Sequence, residues 1–154
     1  MKPRIDYRKA APHAFKALLD LEAGVHRGGL EKPLMELVKM RASQINGCGY
    51  CLDMHSKDAR AAGETEQRLY VLPAWREAPF YSARERAALA WTEAVTLVAT
   101  NDLPDALYEE VRKEFDEKSL VELTLAIIAI NSWNRMAIAF RADVGSYVVP
   151  RAAK

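Results

Sequence analysis

The sequence predicts an all-α fold, a helix bundle with a Cys-x-x-Cys pair at the start of one helix. Three observations predict it. Apolar residues recur at helical spacing in almost every segment, no stretch alternates apolar and polar residues as a half-buried strand does, and glycine, proline and serine stand where helices begin and end. With 154 residues, half of them hydrophobic, one domain over 1–154 can close a core without disulfide staples.

Residues 13–25, HAFKALLDLEAGV, form an amphipathic helix that the glycines of RGGL end. Residues 31–45, EKPLMELVKMRASQI, form the next, with Pro33 in its first turn and Asn46-Gly47 as its stop. A third helix starts at Gly47 or Cys48 and runs to Ala62, where Gly63 closes it. A short segment over 64–75 breaks at Pro73. Residues 82–99 open with Ser82 and Glu85, the reciprocal capping-box pattern, and 104–115 follow with Pro104 in the first turn. Residues 119–143 open with a second such pair, Ser119 and Glu122. This last helix is apolar on nearly every side, through Leu120, Val121, Leu123, Leu125, Ile127, Ile128, Ile130 and Trp133. Such a helix is buried all round, either centrally or by a second chain, so a homo-oligomer is expected.

Charge narrows the function classes. Twenty-two basic residues nearly cancel twenty-one acidic ones, and no basic block argues for nucleic acid or an anionic membrane. The N-terminus lacks the apolar core of a secretory signal. The most apolar run, 123–130, is short and flanked by Glu122, Asn131, Asn134 and Arg135, which argues against a membrane span. A cytoplasmic protein is expected, and in a reducing compartment two lone cysteines point to redox or metal chemistry before structure.

Both cysteines lie in GCGYCLDMH, residues 47–55. Cys48, Cys51 and His55 fall at i, i+3 and i+7, one stripe of a helix. The i, i+3 spacing brings the Cα atoms to about 5 Å, within disulfide range, and a helix N-terminus favours thiolate. His55 can accept a thiol proton. Glu36, twelve positions before Cys48 on the preceding helix, faces this stripe if Asn46-Gly47 turns the chain back. There it can orient His55 or carry its proton. The bland alternative is a solvent-facing Glu36 paired with Lys32 or Lys39.

Competing readings of the pair are weaker. Covalent haem needs histidine directly after the second cysteine, where Leu52 stands. Structural zinc needs four ligands, and His13 and His26 lack a ligand pattern; no metal is expected. A thioredoxin-like site needs a βαβ context. Two buried cysteines packing as small hydrophobes remain the structural alternative. His13 and His26 read as surface residues, Trp91 and Trp133 as core or interface packing, and Arg84, Glu85, Arg86 and Glu93 as a solvated helix face.

Glu36, Cys-x-x-Cys and His55 at this spacing, within a stretch from about 31 to 98, resemble the core of the AhpD-type alkylhydroperoxidases, of the carboxymuconolactone decarboxylase-like superfamily. The tail from 103 to 140 is similar to these proteins too. The resemblance implies an all-helical fold, association into trimers or hexamers, and peroxide reduction by Cys48 and Cys51 with His55 and Glu36 as proton relay. It implies no bound cofactor: an external dithiol, or a lipoyl-type adaptor, returns the electrons. One position departs from the best-studied branch, which has histidine where this chain has Tyr50. A phenol titrates near pH 10, so Tyr50 is an auxiliary hydrogen-bond donor and a poor base. Helix-terminus acidity favours Cys48 as the attacking thiol, peroxide access favours Cys51, and the sequence leaves the choice open. The rival function is an oxidant sensor or disulfide-exchange module without efficient turnover.

Overall fold

The computed structural model describes residues 2–150. Among them the chain forms α1 (Tyr7–Ala10), α2 (Pro12–Arg27), α3 (Lys32–Asn46), α4 (Gly49–Ala61), α5 (Glu66–Val71), α6 (Ala83–Thr96), α7 (Asp105–Arg112) and α8 (Glu117–Phe140), with a 3₁₀ turn at Leu72–Ala74 and no strand. The all-α expectation holds. Helix α3 is central and packs against α4, α6 and α8. Its Leu34, Leu37, Val38 and Ala42 are buried, at about 1.5–3 kcal/mol for each large side chain. Helix α8 supplies the facing layer through Leu120, Leu123, Ala126, Ile127 and Ile130.

The predicted punctuation is largely realised. Ser82 and Glu85 close a capping box on α6, and Gly47 ends α3 in the left-handed region at φ 67°. The start of α8 differs from expectation. Asp116 is the N-cap, accepting the Ser119 backbone N–H at 2.8 Å, so Ser119 lies inside the first turn. A carboxylate there also favours the helix dipole, and it displaces the serine expected in that role. Glu122 instead accepts the Gly29 N–H at 3.0 Å. Pro104 is the N-cap of α7, and α1, too short to show periodicity, was not expected.

The expected solvated face of α6 is not solvated. Arg84 pairs with Glu31 at 3.0 Å and lies 4.0 Å over the Phe115 ring. Arg86 donates to the carbonyls of Trp75, Arg76 and Ala78, while Glu93 accepts from Arg41 and the Trp75 indole, both at 2.8 Å. These partners lie in other elements, out of reach of a local charge pattern.

Helix α8 is buried on one side only. Val121, Leu125 and Ile128 stay exposed, at 59%, 40% and 44% of their surface. As folded it is 24 residues long and holds an 18-residue window of mean hydropathy 1.3, enough by length and composition to cross a bilayer, which the shorter run 123–130 did not suggest. Its placement is that of a core helix. Asn46 donates to Asn131 and Asn134 on α8, at 3.0 and 2.8 Å, and Asn134 donates to Ser43 at 3.0 Å. Buried amides of this kind fix the register of α8 on α3.

Candidate active site

The chain passes from α3 to α4 in two residues. Gly47 takes the left-handed turn, its N–H bonding Gln44 O and the Cys48 N–H bonding Ser43 O. Cys48 is then the N-cap of α4 and Cys51 sits in its first turn. Both thiols are 1% exposed and their sulfurs are 2.8 Å apart, as free cysteines. The two sulfurs share a hydrogen bond, and once Cys48 is ionised the Cys51 S–H is the bond's only possible donor. That bond, aided by the backbone N–H groups of Cys51 and Tyr50 and by Asn134, outweighs burial and lowers the Cys48 thiol to about 7. Giving up its hydrogen bond to Cys48, together with burial, pushes the Cys51 thiol well above its ordinary value. The first proton to leave the pair therefore comes from Cys48, with a midpoint near neutral pH.

Glu36 and His55 meet as the turn at Gly47 requires. Glu36 Oε2 lies 2.9 Å from His55 Nδ1, and the two residues are 4% and 5% exposed. The solvent-facing alternative for Glu36 is thereby excluded. Lys39 turns instead toward α2, where its Nζ lies 2.6 Å from Glu22 Oε1. Glu22 also accepts the Trp133 indole N–H at 3.0 Å and faces His26 Nε2 at 3.0 Å. Burial raises the Glu22 carboxyl, but Lys39 and these hydrogen bonds bring it below its usual range. This second buried pair had no sequence signal beyond the i, i+4 spacing of Glu22 and His26.

A cavity of about 230 Å³ opens onto Tyr50, Cys51, Met54 and His55 of α4. Phe15, Leu19 and Glu22 of α2, Trp133 and Ala137 of α8, and Tyr7 and Arg8 of α1 form the remaining wall. Cys48 does not reach it. Tyr50 is half-buried and burial raises its phenol, so it stays a neutral donor. His13 and His26 are exposed. Trp91 is buried in the core, 6% exposed, while Trp133 faces the cavity.

Asp58, three residues beyond His55, brings a further carboxylate, and one polar atom each of Glu36, His55 and Asp58 lie within 4.8 Å of one another. The set is internally satisfied. His55 Nδ1 is bonded to Glu36, and both Asp58 oxygens accept from Tyr147 Oη, at 2.8 and 3.0 Å. Neither Asp58 nor Tyr147 carried a sequence signal, because 89 residues separate them.

The model of the carboxymuconolactone decarboxylase family matches residues 12–94. The uncharacterised protein YdfG of Bacillus subtilis (strain 168) is 47% identical over 139 residues, covering 90% of this chain and 95% of that one. The alkyl hydroperoxide reductase AhpD of Bradyrhizobium diazoefficiens is 42% identical over 41 residues, 27% of this chain and 22% of that one. Among solved structures, a protein of unknown function from Agrobacterium tumefaciens, provisionally named an AhpD antioxidant defence protein, superposes with a TM-score of 0.90 at 46% identity, covering 95% of this chain and all of that one. The debrominase Bmp8, solved with 2,3,4-tribromopyrrole, shares the fold alone, with a TM-score of 0.79 at 21% identity over 90% of this chain and 74% of its own.

Proposed function

The chain belongs to the carboxymuconolactone decarboxylase family, and on that premise we propose that it is a thiol-dependent peroxidase of the AhpD type, reducing organic hydroperoxides at Cys51 and Cys48. The observation that carries the reading is the 2.9 Å contact of two buried groups, Glu36 and His55, beside a cavity whose lining includes both His55 and Cys51. A buried carboxylate–imidazole pair beside a thiol is built to move protons.

The steps follow from the positions of the groups. A proton shift along the S–H···S⁻ contact puts the thiolate on Cys51, the sulfur that lines the cavity. It attacks one peroxide oxygen: the S–O bond forms, the O–O bond breaks, and the departing alkoxide takes a proton carried by His55 and backed by Glu36. Cys51 is now a sulfenic acid. Cys48 thiol displaces its hydroxyl, giving the disulfide and water. An external dithiol reduces that disulfide by exchange, itself becoming a disulfide, and both thiols return. No bound cofactor enters this cycle.

The aromatic wall of Phe15, Tyr7, Tyr50 and Trp133 favours a peroxide with an apolar substituent over hydrogen peroxide. A reducing cytoplasm would supply the dithiol. The exposed stripe of Val121, Leu125 and Ile128 supports self-association, so light scattering should give a mass several times 17.3 kDa.

The test is steady-state consumption of cumene hydroperoxide with a dithiol in excess. Many turnovers are expected, falling to background in Cys51→Ser and Cys48→Ser. Oxidation that stops after one equivalent would replace this reading with that of an oxidant sensor.

A further inference from the structure

His55 has two carboxylates within reach and one Nδ1–H to give. Glu36 Oε2 takes it at 2.9 Å, while Asp58, whose carboxylate lies in the same 4.8 Å cluster, does not. Asp58 is engaged from its other side. The Tyr147 hydroxyl sits astride both its oxygens, at 2.8 and 3.0 Å. Tyr147 belongs to the segment after α8, which folds back over α4. Lys57 Nζ donates to Tyr147 O at 2.9 Å, and Val144 packs on Gly49, where an added Cβ would stand 3.4 Å from Val144 Cγ2. Burial first, then Asp58 and the nearby Glu36, raise the Tyr147 phenol, so it remains a protonated donor throughout the physiological range.

The other charged groups around His55 are accounted for. From α3 comes Glu36, and Lys39 is tied to Glu22 of α2. Its own helix supplies Tyr50, Cys51 and Asp58, α1 supplies Tyr7 and Arg8 at the cavity, and the wall given by α8 is Trp133 and Ala137. Among the described residues, Asp58 has no cationic partner. Its charge is tempered by one phenol alone.

We propose that Tyr147 and Asp58 are a positioning pair: the phenol holds Asp58 away from the imidazole, so that His55 Nδ1–H is committed to Glu36 and Nε2 is left to exchange protons with the cavity. The effect on turnover rests on the peroxidase reading; the effect on the imidazole does not. Without the hydroxyl, the Asp58 carboxylate is uncompensated and free to turn toward His55. A second anion within about 4–6 Å favours the imidazolium. Tyr147 thus acts on the reaction through Asp58 and His55, without touching substrate.

The experiment is an NMR titration of the histidine side chains. The chain has three histidines, and the exposed His13 and His26 serve as internal references. Tyr147→Phe keeps the ring and removes the hydroxyl. It should raise the His55 midpoint by about one pH unit, a tenfold change in its protonation ratio, and move the acid limb of peroxide turnover upward with it. Asp58→Asn should lower the midpoint, and adding Tyr147→Phe to Asp58→Asn should change nothing further. An unmoved His55 midpoint in Tyr147→Phe overturns the proposal, even if thermal stability falls. So does an equal shift in the Asp58→Asn background, which would make Tyr147 independent of Asp58. If the wild type reduces no peroxide at all, the peroxidase reading fails while the titration still decides this one.

Discussion

Helix α3 carries two buried charges three residues apart, and the protein uses them on opposite sides of one cavity. Glu36 meets His55 on α4, whereas Lys39 meets Glu22 on α2. Both pairs are short, and Glu36, His55 and Lys39 are nearly closed to solvent while Glu22 is partly open to it. They differ in the partner. An imidazole has a second ring nitrogen that can accept or donate a proton, which suits the Glu36 side to the proton transfers of the proposed reaction. An ammonium–carboxylate pair keeps both charges, and its work is to hold the Trp133 indole and the α2 wall in place. Burial of a charge therefore does not by itself single out a group for the proposed chemistry; burial beside an imidazole and a cysteine pair does.

The sharpest way to break the comparison is to neutralise each pair in turn. Glu36→Gln keeps size and should lower peroxide turnover by about 10²–10⁴-fold, the range for general acid–base catalysis. His55→Gln should do the same, and under the proposed shared relay the double variant should be little worse than the worse single. Losses that multiply would assign them separate roles.

On the other side the effect should appear in stability. Lys39→Met strands the Glu22 carboxylate in the wall and should cost about 2–4 kcal/mol in urea unfolding, with turnover falling far less than in Glu36→Gln. Glu22→Gln added to Lys39→Met should restore part of the loss. The acid dependence has a definite sign. Since the folded Glu22 carboxyl lies below its ordinary value, its contribution is complete above that value and disappears as pH falls through the depressed one. The wild type should lose more of its urea midpoint between pH 6 and pH 3 than Glu22→Gln does. Equal losses would remove Glu22 from the account.

The smallest expected effect separates the two thiols. The ultraviolet thiolate absorbance of Cys48 should rise with a midpoint near 7, and Cys51→Ala should move that midpoint upward, since the largest cause of its acidity is the Cys51 S–H bond. An unshifted midpoint in Cys51→Ala would assign the acidity to the start of α4 instead.

Much of this was legible in the sequence for a physical reason: the deciding interactions are local. Gly47 as the stop of α3, Cys48 at the start of α4 and the Ser82–Glu85 box are set within a few residues of themselves. Glu36 was legible as well, because one short turn fixes the phase between two helices. What escaped depends on distant partners. The carbonyls that Arg86 binds, the Glu22 that Lys39 meets and the Tyr147 hydroxyl on Asp58 come from elements whose approach no local pattern encodes. The start of α8 failed differently: Asp116 and Ser119 both have capping side chains, and the carboxylate three residues upstream prevailed.

The two-residue passage at Gly47 turns the distance from Glu36 to Cys48 into a ruler. Each residue added to an α-helix rotates what precedes it by about 100° and displaces it by about 1.5 Å. One insertion between Glu36 and Asn46 would thus swing the carboxylate off the imidazole, although every functional side chain would still be present. Even a substitution of three or four residues' length, which restores the phase, would carry Glu36 along the axis by about one turn, beyond hydrogen-bond reach of His55. In descendants of this chain, length should drift freely in the connection between α6 and α7 and not at all in α3. The interval of twelve is a mechanical tolerance of the site as much as a signature of it.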